Sequence, residues 1–181
     1  MAKICVFLAP GFEECEALIV VDVLRRGGVE VVTASIAEGL QVTSSHQVTV
    51  QADSMANQLN MEEFDGLFLP GGMPGMVNLS ENAVVQQTIQ QFAEQGKILA
   101  AICASPTIFA SMGLLEGKQA TCHPGFEHKL TGAQLLRQEF VQQGNILTGR
   151  AMGTTLPFGL HLLEMLQGTE AVEKVRSGIC Y

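Results

Sequence analysis

The chain has 181 residues, of which 47% are hydrophobic and 15% charged, and it carries a net charge of −8. That length suits a single domain over residues 1–181 with enough chain to bury a full α/β core, and the acidic balance argues against nucleic acid or an anionic membrane as a partner. The five cysteines, at positions 5, 15, 103, 122 and 180, are an odd number with no C-x-x-C spacing. They read as free thiols in a reducing, cytoplasmic setting rather than as a disulfide framework. The first apolar run, Ile4 to Pro10, is cut short by Glu13, Glu14 and Glu16. It is too brief to span a membrane and lacks a signal peptide's cleavage region.

Taken in chain order, strand-like and helix-like runs alternate without repeats or linkers. Ile4 to Leu8 reads as a strand buried on both faces, Glu13 to Arg26 as a helix closed by Gly27-Gly28, and Val29 to Ser35 as the next strand. Gln41 to Gln51 alternates polar and apolar residues as a hairpin does. Leu67-Phe68-Leu69 is a short buried strand leading into Pro70-Gly71-Gly72, and one helix is expected from about Ser80 to Gln95. The strand Lys97 to Ile102 ends at Cys103, with a helix able to begin at Ser105-Pro106. A short strand near Gln119–Thr121, a hairpin through Gly144-Asn145 and helices over Thr154–Gln167 and Glu170–Ser177 complete the chain. This alternation predicts right-handed βαβ units and a mostly parallel sheet with helices on both faces. Ligands of such sheets gather at the carboxyl ends of the strands, where Pro10, Gly71-Gly72, Cys103 and His123 all fall.

Cys103 sits in Ala101-Ile102-Cys103-Ala104-Ser105, where a buried strand turns sharply into a helix. Such a corner thrusts the side chain out at the sheet edge, as in a nucleophile elbow. Free backbone N–H groups and the helix dipole there favour a thiolate. Cysteine is also among the most buried residue types, so plain packing is the competing account. Glu16 shares a helical stripe with Val20, Val23 and Leu24, which points its carboxylate at the sheet. Burial would raise its pKa and let it donate a hydrogen bond to sulfur, whereas a first-turn acid placed there for the helix dipole is the simpler reading. Gly71 and Gly72 let backbone N–H groups approach a ligand. With the Ala104 N–H, a Gly72 N–H would form an oxyanion hole beside Cys103, although a plain tight turn also accounts for the pair. His123, in Cys122-His123-Pro124, is the best placed of the four histidines to exchange a proton near the thiol. No usual zinc spacing joins Cys122, His123 and His128, so no metal is expected.

Four motifs in one order, Ala9-Pro10-Gly11-Phe12-Glu13-Glu14-Cys15-Glu16, Leu69-Pro70-Gly71-Gly72, Ala100-Ala101-Ile102-Cys103-Ala104-Ser105-Pro106 and His123-Pro124, resemble the ThiJ/PfpI superfamily. The likeness is nearest to the branch of the parkinsonism-associated protein deglycase and the bacterial protein YajL. It implies a flavodoxin-like three-layer sandwich, a homodimer and a site without a cofactor. It assigns Cys103 as the reactive cysteine, Glu16 as the acid bonded to its sulfur, His123 as the neighbouring histidine, and Gly72 and Ala104 as backbone donors. The chain departs from the pattern at Ser105, where several relatives carry Gly, and at Arg150 to Thr154, where a Gly-Pro-Gly-Thr loop is usual. Ending at Tyr181, it is expected to lack the extra carboxyl-terminal helix of the deglycase. Ile102-Cys103-Ala104 is not the Gly-x-Cys-x-Gly elbow of the amidotransferases sharing this fold, which argues against glutamine hydrolysis.

Two functions follow from the resemblance. One is a glutathione-independent glyoxalase acting on methylglyoxal and glyoxal, with deglycase activity on glycated groups as an extension. The other is an oxidative-stress sensor or protective protein acting through oxidation of Cys103. Chemistry gives the second weight. A thiol with pKa near 5.5 is almost all thiolate at pH 7, about thirtyfold more than one near 8.5, yet its nucleophilicity is about twentyfold lower. A low pKa therefore speeds attack on an aldehyde little while leaving the sulfur open to peroxide.

Overall fold

The computed structural model describes every residue, Met1 to Tyr181. In chain order the elements are β1 (Lys3–Leu8), α1 (Glu14–Arg26), β2 (Glu30–Ser35), β3 (Gln41–Thr43), β4 (Thr49–Gln51), β5 (Ser54–Met55), β6 (Gly66–Leu69), α2 (Gly75–Glu81), α3 (Ala83–Glu94), β7 (Ile98–Ile102), α4 (Pro106–Ser111), β8 (Gln119–Ala120), β9 (Gln134–Leu135), β10 (Phe140–Gln143), β11 (Ile146–Gly149), α5 (Thr155–Gln167) and α6 (Thr169–Ile179). Seven strands form the main sheet in the order β10-β11-β7-β6-β1-β2-β5. Every neighbouring pair is parallel except β10 and β11, the hairpin turned by Gly144-Asn145, in which Gln143 faces Ile146.

The continuous apolar character of β1, β6 and β7 is explained by burial on both sides. Alternate residues of a strand point to opposite faces, and both faces here are covered. Ile4, Val6 and Leu8, with Phe68, Ala100 and Ile102, pack under α1, α5 and α6. Cys5 and Phe7, with Leu67, Leu69, Leu99 and Ala101, pack under α2, α3 and α4. The stripe read from α1 is the buried one: Glu16, Ala17, Val20, Val21, Val23 and Leu24. Phe158 on α5 meets Phe68 on β6 with ring centroids 5.6 Å apart, and burying a side chain of that size contributes roughly 1.5–3 kcal/mol. The result is the expected α/β three-layer, flavodoxin-like sandwich.

One local feature differs from the sequence expectation, and two others add detail to it. The helix expected from Ser80 to Gln95 is two helices, because Asn82 adopts an extended conformation and caps α3, its side chain accepting from Val84 and Val85 N–H. Asn is a strong N-cap residue, and its carboxamide outcompetes helix continuation there. The strand near Gln119–Thr121 stays outside the main sheet and pairs with β9. The helix following Cys103 is only six residues long. The Gln41–Gln51 hairpin forms as β3 and β4, with Gln41 opposite Gln51, and leans on the start of α1 through Ser45 N–H donating to the Phe12 carbonyl.

Candidate active site

In the order β11-β7-β6-β1, the loops at the carboxyl ends of four adjacent strands lie side by side. They bring Arg150–Thr154, Cys103–Ser105, Pro70–Pro74 and Ala9–Glu13 to one edge. Cross-loop bonds fix them: Cys103 N–H donates to the Gly149 carbonyl at 3.0 Å, Glu13 N–H to Gly71 at 2.9 Å, and Gly75 N–H to Gly11 at 3.1 Å.

Cys103 has φ +65°, the left-handed region. For a residue with a Cβ this conformation costs of order 1–3 kcal/mol and persists only where its surroundings impose it. They do so here, since the carbonyl of Cys103 accepts from His123 N–H at 2.8 Å while its N–H is held by Gly149. The half-buried sulfur is hydrogen-bonded to the Glu16 carboxyl and to the backbone N–H groups of Gly72 and Ala104. Small residues surround it for a steric reason. A Cβ on Gly71 would stand 2.5 Å from Cys103 Cβ and 2.6 Å from Glu16 Oε2, and one on Gly72, at φ +94°, would strike Glu13 N and Gly11 O.

Glu16 is 1% exposed and accepts from Gly71 N–H at 2.8 Å. The helix-dipole role belongs instead to its neighbour, for Glu13 caps α1 by accepting Glu16 N–H at 2.6 Å. Burial pushes the Glu16 carboxyl up to about 7, against hydrogen bonds from Cys103 and Gly71. Burial also pushes the Cys103 thiol up, to about 12, helped by the charge and hydrogen bond of Glu16 and opposed by the Ala104 and Gly72 N–H groups. The helix start therefore does not by itself create a thiolate, contrary to the reading from the elbow motif. Between those two values the coupled pair holds one proton, and the higher value of the thiol places most of it on sulfur. With that proton on Glu16, the sulfur receives the acid O–H and two N–H groups. With it on sulfur, the carboxylate receives Gly71 N–H and a weak S–H donor.

His123 lies beside the elbow through its main chain, and its imidazole is half-buried. Nδ1 accepts from Gly125 N–H at 3.2 Å, which leaves the ring proton on Nε2. The ring makes no hydrogen bond to the sulfur, and its edge packs on Phe126 at 6.1 Å between centroids. Gly71, expected with Gly72 to offer its N–H to a ligand, instead donates it to Glu16, because the buried carboxylate lies directly against it. Ser105 was a bare departure in the sequence; here it is fully buried and its Oγ donates to the Pro70 carbonyl at 2.6 Å.

Glu13, Glu14 and His46 each offer a ligand atom within 4.8 Å of one another. Glu13 is engaged in capping, Glu14 pairs with His46 at 3.0 Å, and the amino end of α1 repels a cation. No helix is long and apolar enough to cross a membrane.

The DJ-1/PfpI family profile matches residues 2–165. The chain is 36% identical to protein dj-1beta of Drosophila melanogaster over 176 residues, covering 96% of this chain and 94% of that protein. The crystal structure of Drosophila DJ-1beta superposes with a TM-score of 0.95 at 35% identity, covering 99% of this chain and 97% of the other. A deglycase of Pyrococcus abyssi is 32% identical over 168 residues, covering 91% of this chain and 99% of the deglycase. Some relatives are longer: the chain is 37% identical to Arabidopsis thaliana protein DJ-1 homolog B over 175 residues, covering 96% of this chain but only 40% of that protein. On the profile match and these identities, the chain belongs to the DJ-1/PfpI family.

Proposed function

We propose that the protein is a cofactor-independent enzyme converting small α-oxoaldehydes to hydroxy acids through Cys103. The observation that carries this reading is the strained Cys103 elbow, whose sulfur stands with the buried Glu16 carboxyl against Gly71 and faces two backbone N–H donors. The Cys103 thiolate attacks the aldehyde carbon of methylglyoxal. A C–S bond forms, the carbonyl electron pair moves onto oxygen, and that oxyanion is met by the Gly72 and Ala104 N–H groups. The Glu16 carboxylate removes the proton from the former aldehyde carbon and returns one to the ketone carbon, with the Nε2–H side of His123 available only as a proton donor. The first carbon is thereby oxidised and the second reduced, which gives a thioester. Water cleaves the C–S bond, releasing lactate and restoring the thiolate. Glyoxal gives glycolate by the same route, and the hemithioacetals and aminocarbinols of glycated groups are chemically adjacent substrates. A deglycase among the relatives supports this direction. The proposal takes over from the resemblance a homodimer and a cytoplasmic setting.

The second reading is a redox role, favoured by a half-buried sulfur beside a carboxyl able to donate a hydrogen bond to its oxidised forms. A related solved structure, 32% identical at a TM-score of 0.95 and covering 100% of this chain and 99% of that one, is described as oxidized Toxoplasma gondii DJ-1. Lactate formation from methylglyoxal without glutathione, wild type beside Cys103→Ala, separates the two. The enzyme reading expects turnover upwards of about 1 per second, lost by at least about a thousandfold in the variant. Turnover surviving in Cys103→Ala overturns the nucleophile. Negligible turnover by wild type, with stoichiometric peroxide adding oxygen to Cys103 by intact mass, selects the redox role.

A further inference from the structure

One peptide unit of the site is gripped at both ends. The Pro70 carbonyl accepts the Ser105 hydroxyl at 2.6 Å, and the N–H of the same peptide, that of Gly71, donates to Glu16 Oε2 at 2.8 Å. All the groups involved are buried: Ser105 is 0% exposed and Glu16 1%. Glu16 Oε2 and Cys103 Sγ stand together against Gly71, 2.6 and 3.0 Å from where a Cβ on it would lie, and Ser105 stands two positions beyond Cys103 on the same elbow. The chain Ser105 O–H, Pro70 carbonyl, Gly71 N–H, Glu16 carboxyl, Cys103 sulfur therefore closes on itself. Ser105's own backbone is already fixed, its N–H on Ile102 at 3.1 Å and its carbonyl on Ile108 N–H at 2.9 Å. No small shift can replace the hydroxyl.

A donor on an amide carbonyl polarises the amide and strengthens its N–H as a donor. The strengthened Gly71 N–H favours an ionised Glu16 over a protonated one, because bonds to charged acceptors are the stronger ones. We propose that Ser105 is a positioning residue that, through the Pro70–Gly71 peptide, steers the proton shared by Glu16 and Cys103 toward the sulfur. It moderates the thiolate, whereas a residue without a hydroxyl leaves the peptide unpolarised. The proposal rests on the paired site described above but not on its turning over any substrate. The charged and titratable groups facing this pair are few. Glu16 meets Cys103 from the elbow and Glu13 from its own helix, Cys103 meets Glu16, Cys15 follows Glu13 and Glu14 on the exposed side, and His123 is turned to Gly125.

The test is thiolate absorbance near 240 nm, titrated without substrate in wild type, Ser105→Ala, Ser105→Gly and Ser105→Thr, each as a difference from its Cys103→Ala counterpart. Losing the hydroxyl is expected to raise the thiolate amplitude on the plateau above neutral pH by about threefold and to move the step to higher pH, while Ser105→Thr, which keeps the hydroxyl, titrates like wild type. A hydroxyl that only satisfies Pro70 predicts lower thermal stability with unchanged amplitude and midpoint, and that result overturns the proposal, as does a fall in amplitude. Should neither hydroxyl-free variant fold, the Gly71 amide proton of wild type, followed by NMR, must shift with the same midpoint as the thiolate step. An unresponsive amide is equally fatal. Methylglyoxal turnover is scored separately, so a protein without glyoxalase activity still decides the question.

Discussion

Glu16→Gln is expected to stabilise the protein above pH 7 while depriving Cys103 of the group that exchanges protons with it. The carboxyl titrates near 4.5 in the unfolded chain and is pushed up to about 7 by burial in the fold. The folded state therefore holds this proton to higher pH than the unfolded state, so the acid is harmless below about pH 4.5 and stability declines as pH rises through 4.5 to 7. One pKa unit corresponds to about 1.4 kcal/mol, which sets the full cost at pH 8 at about 3 kcal/mol or less. Glutamine keeps the shape, accepts Gly71 N–H and offers an N–H to sulfur, but has no proton to lose. Thermal melts of wild type and Glu16→Gln are expected to coincide near pH 4.5 and to separate by about 1–3 kcal/mol at pH 8, with the variant higher. Because the Glu16 charge helps to hold the Cys103 thiol up, iodoacetamide labelling of Cys103 at pH 7 is expected to be no slower in the variant, while turnover that needs the carboxylate as base is lost. Melts that stay parallel across pH would mean that the buried carboxyl stores no such energy.

Gly71→Ala tests the same site by space instead of charge. A methyl at this position would overlap Cys103 Cβ and Glu16 Oε2 together, at 2.5 and 2.6 Å, with Cys103 Sγ at 3.0 Å. The residue cannot retreat, because its N–H is held by Glu16 and its carbonyl by Glu13 N–H. Overpacking of this kind costs about 1–3 kcal/mol, or roughly 2–4 °C in melting temperature per kcal/mol for a domain of this size. The larger effect falls on chemistry, since prising Glu16 away from the sulfur by about an ångström costs of order a hundredfold in rate. Gly153→Ala is the control: it lies on a neighbouring loop, and its Cβ would meet nothing within 4 Å. A Gly71→Ala variant with wild-type turnover would show that the close approach of loop, acid and sulfur has no catalytic weight.

The contrast between these residues shows where the sequence could be read. Local rules carried the fold: apolar runs such as Ile4–Leu8 and Leu99–Ile102 have both faces buried, which the lack of alternation already indicated. Glu16 could be picked out because its stripe partners Val20, Val23 and Leu24 are all apolar, and Cys103 because Pro106 fixes a helix start just beyond it. The break at Asn82 was missed because the expected helix from about Ser80 to Gln95 ran through it, whereas α2 already begins at Gly75 and Asn82 caps α3. Long-range bonds were invisible. Nothing near position 105 announces an acceptor at position 70, and nothing in Pro70-Gly71-Gly72 says that the first glycine serves the acid while the second serves the sulfur. The proton balance could not be read either, because burial outweighs the short helix after Cys103 and burial belongs to the whole fold. His123 is an intermediate case: its position beside the elbow followed from the motif, but its ring is drawn by the local Gly125 N–H.

Every catalytic step proposed here depends on a thiolate formed when the Cys103 proton passes to Glu16. Its absorbance near 240 nm, titrated from pH 5 to 11 as the difference between wild type and Cys103→Ala, measures that species directly. A partial step centred near pH 7 that is replaced in Glu16→Gln by a single thiol titration is the predicted result. A sulfur that stays silent until pH 10 or above would contradict the account, leaving Cys103 a buried thiol at the end of a strand.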